Sequence, residues 1–422
     1  MGASVYFLDP NLSMAPISWP AWQGSVKGVE ITLVDSIAIA ILFATRPVRI
    51  PTVIKIGFAL YLAAVAIATA AGQLLMPSIF YAWQLARAVL VFVAIARATA
   101  TARDAPMALV AGLGSAILVQ FVMAAQQFAR GDASAGGTLG HQNMLGLASH
   151  FATFPAFALL LAGRRPVAAG AVVVAGAAIA FVGGSRATIG LCGLGLLITV
   201  LLSIRHRMTG RKVGFAVAAF AALALAAPAM LWSIERRPEA ARASSNQERQ
   251  AFNKAAKMII ADHPLGVGGS QYVVVANIGG YLARAGAAWN QANRAAPVHN
   301  SYYLVAAELG LLGLIGMIAT LATLIAIGLR SLRRTVRSDR SELLVGLVAA
   351  LIMAAAHIGY EWLFMHWLIH YLFAMTAGAT VAIAVTDRAA TAPKRRSAGV
   401  AQRHLALADH DLVNLVEKRQ AK

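Results

Sequence analysis

The side chains able to do chemistry gather in a few places. Between residues 245 and 261, Arg249, Gln250, Asn253, Lys254 and Lys257 fall on one side of a helix at 100° per residue. Phe252, Ala255, Ala256 and Ile259 fall on another. Such a basic stripe is either the solvated face of a helix lying on a membrane, which composition alone favours, or a face that grips phosphate. In the second case Arg supplies a bidentate fork and Lys a point charge. Arg186 follows Gly183-Gly184-Ser185 at the mouth of an apolar run. A cation there either snorkels to lipid headgroups or meets an anionic ligand. His299 opens a further run beside Asn300 and Tyr302. Most isolated histidines at such a place only hydrogen-bond, but a neutral imidazole can also take a proton near neutral pH.

Two further groups lie among apolar residues. Arg87 stands about eight residues, or roughly 12 Å by helical rise, into its run. Asp35, at similar depth in the first run, is its expected partner. The pair is either structural or part of a binding site, and Arg87 is carried as a candidate substrate-binding residue. His357, Glu361, His366 and His370 cluster near the ends of the last two runs. His366 and His370, one turn apart, have the spacing to share a metal or relay protons, yet the connection offers no further clear ligand. No metal or cofactor is expected.

The elements that position these residues follow from hydropathy. The 422 residues are 59% hydrophobic and 13% charged, with a mean hydropathy of +0.68. Apolar runs of about 17–25 residues recur, each able to cross a ~30 Å hydrocarbon core as a helix. They fall near 29–45, 56–75, 78–97, 106–128, 143–162, 166–183, 187–204, 213–233, 301–329, 343–360 and 362–386. The fold class is therefore an all-α, polytopic transmembrane bundle of about 11–12 spans, without the short alternating segments of a membrane barrel. The single cysteine, Cys192, lies inside a run, so neither a disulfide framework nor a thiolate metal site is available.

Lys and Arg collect in alternate connections, from Arg46, Arg49 and Lys55 through to Arg330, Arg333, Arg334, Arg337 and Arg340. Those connections and the basic tail 387–422 are expected on the cytoplasmic side. Segment 1–28 is then extracytoplasmic or interfacial, and 29–386 forms the membrane domain with its large outer loop at 233–300. That loop has a net charge of +4, which offers a basic surface to an anionic ligand. Within it, Ser245-Asn246-Gln247-Glu248 reads as a capping box opening a helix that ends near Ala261, before Pro264 and Gly266. The overall charge of +19 is largely this orientation pattern and a tail, so no nucleic-acid partner is expected.

Three outer segments together resemble the O-antigen ligase and polymerase superfamily of bacterial inner-membrane glycosyltransferases. They are Gly137-Thr138-Leu139-Gly140-His141-Gln142-Asn143, then Gly184-Ser185-Arg186, and a third running from Arg249 through Asp262-His263-Pro264-Leu265-Gly266-Val267-Gly268 and His299-Asn300-Ser301-Tyr302 to Glu308-Leu309-Gly310-Leu311-Leu312-Gly313. The resemblance spans roughly 130–320. It implies a C-type glycosyltransferase fold whose periplasmic loop caps a cavity. It also implies transfer of a glycan from an undecaprenyl diphosphate carrier to an acceptor hydroxyl, without a metal. The acceptor is lipid A–core in ligases and a carrier-linked glycan in polymerases, and the sequence does not separate the two. By motif position, Arg186 and Arg249 correspond to the family's essential arginines and His299 to its essential histidine.

On that reading His299 assists the acceptor hydroxyl, kept neutral by cations such as Arg249 nearby, and the two arginines bind the diphosphate. Lys254 and Lys257 concentrate the donor, and Asn143 and Asn300 are candidate substrate contacts. Gly140 and Asn143 are also expected to shape the loop and cap the following helix. A different class remains open, an ion-coupled transporter or flippase using Asp35, Arg87 and the histidines, although no internal repeat supports it.

Overall fold

In the computed structural model, residues 1–8, 12–72, 74–132, 135–218, 221, 239–333 and 338–391 are described. Most of the expected span 213–233, the cations Arg236, Arg237, Arg334 and Arg337, and most of the tail lie outside them. A two-stranded antiparallel hairpin, β1 (Ser13–Ser18) and β2 (Gly28–Thr32), comes first. It takes up the start of the first expected span, so helix α1 begins later, at Leu33, and runs to Ala44. Then follow α2 (Thr52–Ala71), α3 (Leu75–Thr101), α4 (Ala105–Ala129), α5 (Gln142–Leu161), α6 (Pro166–Val182) and α7 (Arg186–His206). The loop contributes α8 (Glu239–Asp262) and the short helices α9 (Tyr272–Ile278), α10 (Tyr281–Ala285) and α11 (Gln291–Ala295). The chain re-enters the bundle with α12 (Ser301–Leu332), α13 (Asp339–His357) and α14 (Trp367–Thr391).

Among the described residues, eight helices are long and apolar enough to cross a membrane, and α1 and α6 are shorter apolar helices. The protein is thus an all-α, multi-pass membrane protein. Helices α5, α13 and α14 form its centre, with α5 and α14 almost wholly buried, while α2 and α12 are largely exposed on the periphery. Small residues permit this density. At Gly346 of α13 a Cβ would stand 2.3 Å from the Pro155 backbone of α5, so only glycine allows that approach.

The loop helix departs from expectation at one end. It is already helical at Glu239, so Ser245 is interior and does not cap it; the run Glu239-Ala240-Ala241-Arg242-Ala243 consists of strong helix formers that extend the helix upstream. Its other end, Asp262, lies one residue from that expected. Its apolar side is the one read from the sequence: Phe252, Ala255, Ala256 and Ile259 are all buried, and the helix packs on α10 and α12.

Two glycine-containing motifs fasten this loop to the bundle. Val267 and Gly268 donate their N–H groups to the carbonyls of Ala307 and Glu308, and Leu311 donates to Pro264. Gly310, with φ +71°, breaks α12 to make room for this pairing; a Cβ there would lie 2.6 Å from the Pro264 carbonyl oxygen. The buried Glu308 carboxylate then accepts from the backbone N–H groups of Ser270 (2.9 Å) and Tyr272 (3.1 Å).

Candidate functional site

At the loop end of the bundle, four segments far apart in sequence meet at one carboxylate. Glu361, in the connection between α13 and α14, is 1% exposed. Its backbone carbonyl accepts from the N–H and hydroxyl of Ser301 at the start of α12, which fixes its position. Its Oε1 accepts from Asn143 Nδ2 (2.8 Å) and Arg249 Nη2 (3.1 Å). Its Oε2 faces His299 Nδ1 at 3.3 Å. Arg249 also donates from Nη1 to the Tyr360 carbonyl (2.9 Å), so two of its nitrogens grip the same connection.

Each partner is delivered by a local device. The turn Gly137–Leu139 is held by Gln127, which bonds both backbone groups of Gly137, and by Gln120, which accepts from the Thr138 N–H. Gly140, at φ +71°, redirects the chain into α5. His141 rather than Asn143 caps that helix, its Nδ1 accepting from the Asn143 N–H (3.2 Å). Asn143 is left free to point its amide at Glu361. Arg249 projects from α8, whose buried side is seated on α12. His299 lies edge-on to Phe252, one turn along α8 from Arg249. Asn300 caps α12, its Oδ1 accepting from the backbone N–H groups of Tyr302 (2.9 Å) and Tyr303 (3.2 Å).

The electrostatics follow from the geometry. Burial alone would push the Glu361 carboxyl up, but the His299 hydrogen bond and the neighbouring charges of His299 and Arg249 hold it below the usual carboxylate range. It is therefore an anion set between Arg249 and the imidazole. Cations such as Arg249 are expected near His299, and in the structure Glu361 bonds both. A carboxylate accepting from Nδ1–H orients the ring so that Nε2 is turned away from Glu361. His141 stands exposed at the rim, but against enough protein that desolvation lowers its pKa, with Glu361 opposing and His299 reinforcing that shift.

Arg186 is the first residue of α7, exposed, and makes no hydrogen bond or ion pair among the described residues. The turn before it lies against Gln142, a Cβ on Gly183 falling 3.5 Å from the Gln142 side chain, so Arg186 is at the same mouth as Asn143. Lys254 and Lys257 are exposed on α8, with the Lys257 ammonium 5.7 Å from the Tyr303 ring centre.

Arg87 lies elsewhere. It is 3% exposed, bonds Asp35 through Nε (3.0 Å), approaches Glu30 (3.4 Å) and covers the Tyr371 ring. The clustered histidines also divide. His357 pairs with His150, His370 with Gln84, and Glu361 belongs to the cluster above. Among the described residues no three His, Cys, Asp or Glu side chains stand close enough to hold a metal.

The residue that sequence reasoning missed is Glu361. Its signal was a single acid in an otherwise uncharged connection, on the same side as Arg249 and His299; the sequence reading grouped it with three histidines and gave it no role in the site.

A family model described as O-antigen ligase matches residues 154–318. No curated protein matches the chain. The matched stretch contains Arg186, Arg249 and His299 and both loop-fastening motifs, and it stops short of Glu361. Through that stretch, the chain is similar to the O-antigen ligase family.

Proposed function

We propose that the protein transfers a glycan from an undecaprenyl diphosphate carrier to an acceptor hydroxyl at the periplasmic face of the inner membrane, in surface polysaccharide assembly. The observation that carries this reading is the joining of Arg249, His299 and Asn143 at one buried carboxylate, beside an exposed Arg186. The hydroxyl oxygen attacks the anomeric carbon while its proton passes to His299 Nε2. The bond from that carbon to the diphosphate breaks, and the carrier diphosphate departs. A sugar hydroxyl is a poor nucleophile and the diphosphate a good leaving group, so assistance is needed mainly on the attacking side. General-base help of this kind is worth about 10²–10⁴-fold.

Arg186, whose fork has no partner among the described residues, receives the diphosphate, and Arg249 adds positive charge while holding Glu361 in place. Glu361 fixes the ring and stabilises the imidazolium that forms. Attack opposite the leaving group gives an inverted anomeric centre, and the side chains present neutralise the departing charge without calling on a metal.

Purified protein in nanodiscs, given lipid-linked donor and acceptor, should turn over with inversion and be indifferent to chelators. His299→Ala should abolish most transfer but keep donor binding; retention of configuration, or near-normal turnover by that variant, overturns the reading. A deletion strain separates the two acceptors. Lost ligation leaves polymer on its carrier, and lost polymerisation leaves single repeat units. Sidedness is tested in a Cys192→Ser background: cysteines at Gly136 and Ser244 should react with an impermeant reagent in intact cells, and one at Ser338 should not.

A further inference from the structure

We propose that Trp289 and Arg294 form a sugar-stacking platform on the outer loop, which holds a pyranose ring of the glycan some distance from the reacting centre. This rests on the glycosyl-transfer reading and names a second contact for its substrate. Trp289 is 68% exposed, on a chain segment that is firmly held. The Ala288 carbonyl accepts from both the Asn290 N–H (3.0 Å) and Asn293 Nδ2 (3.0 Å). Asn290 caps α11 through the Asn293 N–H (2.8 Å), and Asn277 Nδ2 binds the Arg294 carbonyl (2.7 Å). A large aromatic ring kept in water by a rigid support is a surface prepared for a ligand.

The ring and its neighbours define the ligand. The Arg294 guanidinium lies 4.5 Å from the centre of the indole, so it covers one face and leaves the other open. The Arg294 side chain makes no hydrogen bond or ion pair among the described residues. An open indole face accepts an apolar, C–H-lined surface, and a free planar donor fork beside it accepts oxygens. A pyranose presents both on one molecule. The residues around Trp289 are exposed and mostly polar (Asn290, Gln291, Arg294), unlike the apolar surroundings of a ring anchored in lipid.

The platform is also close enough to matter. It precedes His299 by ten residues, five of them in α11, which limits the separation to less than about 30 Å. That is the reach of a short oligosaccharide running from the reacting sugar.

The test uses full-length protein in nanodiscs and, as probe, soluble oligosaccharide released by mild acid from the lipid-linked glycans of the source cells. Wild type should bind it, and Trp289→Ala and Arg294→Ala should each weaken binding by about ten-fold. Trp289→Phe should stay near wild type. Unaltered affinity in both Trp289→Ala and Arg294→Ala overturns the platform. So does strong quenching of Trp289 emission by brominated phospholipid, read as the difference between wild type and Trp289→Phe, which would assign the ring to the membrane. Sugar binding that depends on Trp289 in a protein that transfers nothing would sink the transfer reading and leave the platform standing. Normal transfer with Trp289-independent binding would do the reverse.

Discussion

The protein contains two clusters built from the same parts, a buried carboxylate, an arginine and a ring. In one, Asp35 accepts from the Thr32 backbone and hydroxyl, Arg87 and Tyr371, and both charged residues are at most 4% exposed. In the other, Glu361 accepts from Asn143, Arg249 and His299, and the side chains of Arg249 and His299 are 38% and 30% exposed. Both carboxylates are buried. What differs is which residues reach solvent: in the first cluster it is Glu30, an acid beside the buried Arg87, and in the second it is Arg249 and His299 themselves. Burial of a charge is therefore no guide to its use; the exposure of its partners is. The first arrangement fastens α1 to α3 and α14, and the second can act on something outside the protein.

Removing each carboxylate separates the two clusters most directly. Glu361→Ala should lower turnover by about 10²–10⁴-fold, since His299 loses the group that sets its tautomer and Arg249 its anchor. The purified variant should still bind donor. If its turnover falls less than ten-fold, Glu361 does not organise the site.

Asp35→Ala should do the opposite. Leaving Arg87 buried without its main partner costs about 3–5 kcal/mol, seen as a lower unfolding midpoint in detergent. Activity per folded molecule should stay close to wild type. A stable but inactive Asp35→Ala would move that cluster into the functional class and revive Arg87 as a substrate contact.

Next in size are the arginines. Arg249→Lys keeps the charge but cannot reach both the Tyr360 carbonyl and Glu361 with the same geometry, so about ten-fold of activity should be lost. Arg186→Lys has no such bonds to lose among the described residues, so a deficit there reports on the diphosphate. Full activity in both variants would remove the paired-hydrogen-bond argument.

Much of this was legible before the structure, for identifiable reasons. The buried side of α8 followed from helical periodicity, and Asp35–Arg87 from equal depth in neighbouring spans, because both are consequences of regular helices. The upstream start of α8 was hidden by a plausible capping sequence at Ser245, which the alanine-rich stretch before it overrides. The Glu361 cluster could not be read in the same way. Its donors lie 218, 112 and 62 positions away, and no periodicity relates them. Individual residues of the site were visible through their motifs, but the carboxylate joining them was a product of tertiary packing.

A smaller effect concerns pH. Glu361 is held below its ordinary range in the folded protein, so its contribution to stability is fully present above the unfolded value, roughly 4.3, and is lost as pH falls through the folded one. Wild type should therefore unfold at a higher temperature than Glu361→Gln at neutral pH, and the two should converge in acid. A difference that stays constant down to pH 3 would show that the ionised carboxylate is not what the cluster relies on.

The smallest effects should come from Lys254 and Lys257. Both are exposed on α8 and neither touches Glu361, so their charges act through water, where salt screens them over about 8–10 Å. Lys254→Ala should raise the donor KM by only about two-fold, consistent with the ~0–1 kcal/mol of an exposed charge, and leave kcat unchanged. Lys257 has one further contact, its ammonium over Tyr303, worth about 0.5–1 kcal/mol at an exposed site. Because Tyr303 opens α12 four residues after His299, Lys257→Ala should have a slightly larger effect than Lys254→Ala, part of which survives in high salt. The Lys254 effect should vanish there. A large fall in kcat for Lys254→Ala would mean that the lysine meets the departing diphosphate directly, and the boundary of the site would then extend one turn further along α8.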